Sequence, residues 1–152
     1  MHKKKYDSLI ILIPSFNELN NLKKFIKEIH KRYKVLIIDD CSKDNSISEI
    51  KKYLDVPIVF GGIHAIICPE EIIVKDQVDM VCLGEGEYAL DELLNSMQEG
   101  SIDTMLKGFY FKKANGEIIR NEKRALIADM DDMPFPDKEL FAPFVPIKNY
   151  YL

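Results

Sequence analysis

Ser8-Leu9-Ile10-Ile11-Leu12-Ile13-Pro14-Ser15-Phe16-Asn17-Glu18 holds an unbroken apolar run that stops at a proline and a serine. Leu9 to Ile13 has the composition of a strand buried on both faces, as in parallel sheets. Ser15 and Glu18 have capping-box spacing, which predicts a helix start. Leu22, Phe25, Ile26, Ile29 and Tyr33 then recur at helical spacing as one apolar stripe. Lys23, Lys24, Lys27 and Lys31 take the other side, and Val35 to Ile38 reads as a second buried strand. This is a β-α-β unit, whose two strands run parallel.

The pattern repeats outward from there. Asp39 to Asn45 is a polar loop, and Ser46 with Glu49 again has capping-box spacing before Ile47, Ile50 and Leu54. Val56 to Phe60 is a third strand, ended by Gly61-Gly62. Pro69-Glu70-Glu71 suits a helix first turn, where proline loses no needed hydrogen bond. Met80 to Leu83 is a fourth strand. Glu87 to Met97 is a helix carried by Leu90, Leu93, Leu94 and Met97, with Gly100 placed to end it. Gly108 to Lys113 and Glu117 to Arg120 flank Asn115-Gly116, a hairpin signal. Pro134, Pro136, Pro143 and Pro146 preclude a long helix in the tail. The expected fold is α/β: a three-layer, Rossmann-like parallel sheet of about four strands, with a C-terminal β-hairpin and an irregular tail. Residues 1–128 are expected to form one domain and residues 129–152 a linker-like tail.

The bulk numbers fit a globular chain. It has 152 residues, 47% hydrophobic and 30% charged, with a net charge of −4, which argues against a broad nucleic-acid footprint. No run approaches the ~20 apolar residues of a membrane span. Ser8 to Ile13 is too short for a signal-peptide core, so the cytoplasm is the expected location. Cys41, Cys68 and Cys82 are widely spaced and odd in number, which reads as free thiols. Cys41 and Cys82, beside apolar strands, read as small core hydrophobes.

In open parallel α/β sheets, ligands bind beyond the carboxyl ends of the strands. Four loops gather there: Ser15 to Glu18, Asp39 to Ser46, Gly61 to Ala65, and Gly84 to Glu87. The expected partner is therefore a small molecule. Pro14-Ser15-Phe16-Asn17-Glu18 with the Asp39-Asp40 pair resembles the opening of a family 2 glycosyltransferase, over roughly Leu9 to Leu54. The resemblance implies that Pro14, Phe16, Asn17, Glu18 and Asp40 hold the base and ribose of a uridine-diphosphate sugar, with a divalent metal on its diphosphate. Asp129-Met130-Asp131 has the letters of that family's metal-binding element. It sits late, after the hairpin, and is read as linker rather than metal site.

From about Val56 to Leu140 a second series follows: Gly61-Gly62-Ile63-His64-Ala65, Gly84-Glu85-Gly86-Glu87, the Asn115-Gly116 turn, and Met133-Pro134-Phe135-Pro136-Asp137. In this order the series is similar to the late strands and linker of the cobalamin-binding domain of radical SAM enzymes. The resemblance implies that Gly61, Gly62 and His64 contact cobalamin, with Gly84, Glu85 and Gly86 on the same rim. Residues 1–55 would be a glycosyltransferase-like front and 56–128 a cobalamin-domain-like remainder, in a hybrid or truncated chain. No Cys-x-x-x-Cys-x-x-Cys follows the linker, so no iron–sulfur cluster is expected here, and the natural partner is an absent radical SAM barrel. The chain is expected to hold a ligand without transforming it. Other readings of single residues stand beside these. His64 also fits a hydrogen-bonding turn residue, and His30 a solvent-facing one. Glu85 and Glu87 fit negative charge near a helix amino terminus more readily than an acid/base pair. Phe141, Phe144, Tyr150 and Tyr151 suit a tail that meets a partner domain.

Overall fold

Among the described residues, six strands form one sheet in the order β1-β2-β3-β4-β5-β6. The computed structural model describes residues 10–31, 33–40, 42–52 and 56–134. The strands are β1 (Ile10–Ser15), β2 (Lys34–Asp39), β3 (Ile58–Phe60), β4 (Met80–Cys82), β5 (Phe109–Lys112) and β6 (Ile118–Arg120). The helices are α1 (Leu19–Ile29), α2 (Ser46–Lys51), α3 (Gly62–Ile67), α4 (Pro69–Ile73) and α5 (Glu87–Gln98). β1 to β4 are parallel, whereas β5 and β6 are antiparallel.

The fold is thus α/β, but the sheet is mixed and six-stranded rather than a four-stranded parallel sheet with a hairpin beside it. The hairpin pairs directly onto β4, with Met80 opposite Phe111 and Cys82 opposite Phe109. That pairing satisfies the outer edge of β4 and brings two phenylalanines into the core.

Side chains alternate across the sheet as the strand period requires. Ile13, Val35, Ile37, Ile58, Phe60 and Val81 share one face with Leu22 and Ile26 of α1, Ile47 and Ile50 of α2, Ala65 of α3, and Ile72 and Ile73 of α4. Leu36, Val59, Met80, Phe109 and Phe111 share the other with Ala89, Leu93 and Met97 of α5. Each parallel strand is laid on the same side of its predecessor. Right-handed crossovers therefore carry α1 to α4 to one face, and α5 packs on the second. Ile26, Leu36, Ile37, Ile58, Ile72, Ile73 and Leu93 are fully buried. Each such side chain contributes about 1.5–3 kcal/mol.

Both expected capping boxes are corrected. α1 starts at Leu19, and its cap residue Glu18 makes no side-chain cap bond. Asp44 of the neighbouring loop takes that role, accepting from the Leu19 amide at 3.0 Å and the Ser46 amide at 3.0 Å. α2 follows Asn45, which is left-handed and makes no side-chain cap bond, and Ser46 is its first residue. Glu49 instead pairs with Lys23 at 3.0 Å and Lys52 at 2.5 Å, clamping α2 to α1. Those two ammonium groups, Lys52 foremost, lower the Glu49 carboxyl to about 2. Gly62–Ile67, expected as a loop through Ala65, forms α3, and it carries neither the capping-box spacing that marks α2 nor the first-turn proline that marks α4. Phe25 belongs to the apolar stripe but is half exposed, and Tyr33 lies beyond the helix. His30 is half-buried, with Nδ1 2.7 Å from the Ile26 carbonyl, rather than solvent-facing. Leu9, Leu54, Cys41 and the tail from Phe135 lie outside the described residues. Among the described residues, no helix is long and apolar enough to cross a membrane.

Candidate functional site

The carboxyl ends of β1 to β4 bring the expected loops to one rim. At the β1 and β2 ends, two loops are stitched together. Asn17 sits at φ 54°. Its amide donates to Ser42 Oγ at 2.9 Å, and its Oδ1 accepts from the Lys43 amide at 2.8 Å. Asp39 is fully buried and accepts from the Ser42 amide at 2.8 Å and the Ser42 hydroxyl at 2.5 Å. Burial pushes its carboxyl above the usual aspartate range, against the pull of those Ser42 bonds. Asn17 and Asp39 are thus occupied in holding the loops. Pro14, Phe16, Glu18 and Asp40 are exposed. Glu18 accepts from Asn21 Nδ2 at 2.6 Å.

Asp40 reaches sideways to β3. A Cβ built on Gly62 would lie 2.0 Å from Asp40 Oδ1, and Gly62 has φ +78°. The front segment's second aspartate therefore lies against the second glycine of the rear segment, and a side chain there would displace its exposed carboxylate. Other contacts cross the same join. The Gly61 amide donates to the Asp39 carbonyl at 3.2 Å. Lys51 of α2 pairs at 2.6 Å with Asp79, which also accepts from the Ile58 amide at 2.8 Å.

At the β3 and β4 ends the surface is open. A Cβ on Gly61 or Gly84 would meet nothing within 4 Å. Packing within the protein does not demand glycine at these two positions. Beside them, Ile63 and Ile67 of α3 are 77% and 70% exposed, and Leu126 is 77% exposed. His64 lies exposed in the first turn of α3. A cleft of about 330 Å³ opens here, lined by Ile66, Gly84, Glu85 and Leu126. Glu85 accepts from the Ile127 amide at 2.6 Å, tying the segment after β6 across the rim. Arg124 in that segment lies against Gly108 and pairs with Glu92 of α5 at 2.7 Å. Sequence reasoning missed this strap, because its anchors are scattered side chains without a period. Glu87 stands in the first turn of α5, where its charge opposes the helix dipole. Gly86 precedes it.

Two remaining candidates have structural partners. Asp129 Oδ1 accepts from the Asp131 amide at 2.9 Å, capping a short 3-10 turn at Met130–Asp132. Cys82 is buried, and burial pushes its thiol up, away from nucleophilic use. Among the described residues, no three His, Cys, Asp or Glu side chains converge as a metal site.

Comparison with known proteins meets this geometry from both sides. The sequence model of glycosyl transferase family 2 matches residues 10–71. Its match continues past the join near Asp55, through β3 and α3. An uncharacterized methyltransferase of Pyrococcus horikoshii is 30% identical over 108 residues, covering 69% of this chain and 22% of the relative. Two structures of the cobalamin-dependent S-adenosylmethionine radical enzyme OxsB are similar, one with aqua-cobalamin and S-adenosylmethionine bound and one with aqua-cobalamin alone. Each matches with a TM-score of 0.55 and 17% identity, over 72% of this chain and 16% of the enzyme. Both family resemblances are supported. At 17% identity the structural likeness shows the fold. The chain spans less than a quarter of the methyltransferase relative's length.

Proposed function

We propose that this chain is a cobalamin-binding module of the radical SAM type, holding the corrin against the rim of β3 and β4. On this reading residues 1–128 form one three-layer, Rossmann-like domain, and residues 129–152 lead toward a separate barrel that performs the chemistry. The observation that carries the reading is the open ground above Gly61 and Gly84. Glycine there costs chain entropy without serving internal packing, and it leaves room for a large ligand to approach the backbone. Ile63, Ile67 and Leu126 would meet the apolar parts of a corrin, and the exposed imidazole of His64 stands next to them. Gly62 serves the Asp40 contact, and Glu85 holds the strap, so these two shape the rim. When bound, cobalamin supplies organometallic chemistry at its cobalt. The fold shared with an aqua-cobalamin-bound enzyme and the methyltransferase relative support the same reading.

Titration of the purified chain with aqua-cobalamin, followed by corrin absorption, tests it. A saturable spectral change is expected, weakened about tenfold or more by Gly84→Leu or Gly61→Leu. Absence of any saturable change contradicts it.

The match of residues 10–71 to glycosyl transferase family 2 favours a second reading. Pro14, Phe16, Glu18 and Asp40 would then hold a uridine-diphosphate sugar, with a divalent metal on its diphosphate. Calorimetry with uridine diphosphate and manganese separates the two. Binding lost in Asp40→Ala favours the sugar donor.

A further inference from the structure

We propose that Glu85 is a positioning residue of the rim. Its carboxylate fixes the strap after β6 as the outer wall of the cleft, and so presents Leu126 to an apolar ligand edge. The proposal rests on the corrin reading of the rim. The near half of the strap is held from the hairpin side and by α5. Asn121 Nδ2 donates to the Thr104 and Leu106 carbonyls, each at 2.9 Å. The Gly108 amide donates to the Glu122 carbonyl at 2.8 Å, and Arg124 reaches Glu92. Past Arg124 this support ends. Among the described residues, the hydrogen bond that holds Ala125 to Ala128 is the one from the Ile127 amide to Glu85, at 2.6 Å.

That far half shapes the rim. Ala125 and Leu126 line the cleft of about 330 Å³ on the side of Ile66 and Gly84. They also line a second cleft, of about 410 Å³, on the side of Tyr88 and Lys107. The strap is thus a partition with open space on both flanks. Leu126 is exposed, so packing within the chain does not fix it. What fixes it is the bond to Glu85, which sits between Gly84 and Gly86 in the loop after β4. A carboxylate accepting from an amide makes a charge-assisted bond, stronger than a neutral one. A wall set before the ligand arrives spares the ordering cost that binding would otherwise carry. Without the Glu85 carboxylate, the ligand must order that wall itself.

Amide exchange of the full chain, read by NMR, together with titration of aqua-cobalamin by corrin absorption, tests the proposal. Without ligand, Glu85→Ala is expected to speed exchange at Ile127 about tenfold and to leave Gly108 unchanged. Affinity for aqua-cobalamin should fall about tenfold in Glu85→Ala. Glu85→Gln keeps an acceptor oxygen and should stay within about threefold of wild type in both measurements. In a Leu126→Ala background, Glu85→Ala should lose most of its effect on affinity, because the side chain it positions is gone. Full affinity in Glu85→Ala overturns the proposal and leaves the corrin reading intact. So does unchanged Ile127 exchange, a Glu85→Gln variant as weak as Glu85→Ala, or an undiminished effect in the Leu126→Ala background. No saturable change with the wild type overturns the corrin reading itself, and this proposal with it.

Discussion

A methyl group on Gly62 would lie 2.0 Å from Asp40 Oδ1. Gly62→Ala is expected to cost about 1–2 kcal/mol, chiefly from left-handed strain, with a smaller part from displacing the exposed Asp40 carboxylate. In an Asp40→Ala background the clash disappears and the strain remains, so the cost should shrink. Equal costs in the two backgrounds, measured by urea unfolding, would deny the contact. Both residues were legible as rim candidates in the sequence, each for a different ligand. Their contact was not legible, because it arises from the pairing of β2 with β3. Asp39 makes a second test at this scale. Burial raises its carboxyl above the ordinary aspartate value, so the folded chain holds that proton more tightly than the unfolded chain. Its contribution therefore favours folding at low pH and is lost as pH rises through the raised value. Asp39→Asn removes this dependence. Its stability relative to wild type should climb as pH rises above the ordinary aspartate value, and a constant difference would contradict the assignment.

Apolar runs announced the parallel strands, and the Asn115-Gly116 turn announced β5 and β6. Helix ends were less legible. Ser15 and Ser46 carry the local capping pattern, yet the Asp44 carboxylate, held by amides of both α1 and α2, is the group that serves them. A cap supplied by another loop leaves no mark at capping-box spacing. Asp44→Ala should lower the urea midpoint more than Ser15→Ala does. The ranking reverses if the sequence-local boxes operate. The carboxyl of Asp44 is lowered, first by Ser46, so its contribution is present above the ordinary aspartate value and fades as pH falls below it. α5 shows the opposite case. Its period and the stop at Gly100, which has φ +105°, were both readable, because they depend on nothing outside the segment.

At the scale of the molecule, two family-like segments share one uninterrupted sheet. The join near Asp55 is crossed by the β2–β3 ladder, by Asp40 against Gly62 and by the Lys51–Asp79 pair. Unfolding should therefore be a single transition. Ile37→Ala in the front and Ile72→Ala in the rear are each expected to lower that same transition by about 2–5 kcal/mol. Two separable steps, seen when tyrosine fluorescence is compared with circular dichroism, would mean two independent pieces. The strand order was not legible from the β-α repeat, since that repeat leaves open on which side each new strand is laid. The claim on which the functional account rests is that the open rim at β3 and β4 receives a corrin. Amide NMR of the chain titrated with aqua-cobalamin tests it most directly. The account predicts shifts at Gly61, Gly62, His64 and Gly84 to Gly86, with Phe16 to Glu18 unmoved. Unchanged rim signals, together with shifts at Phe16 to Glu18 when uridine diphosphate is added, would contradict it.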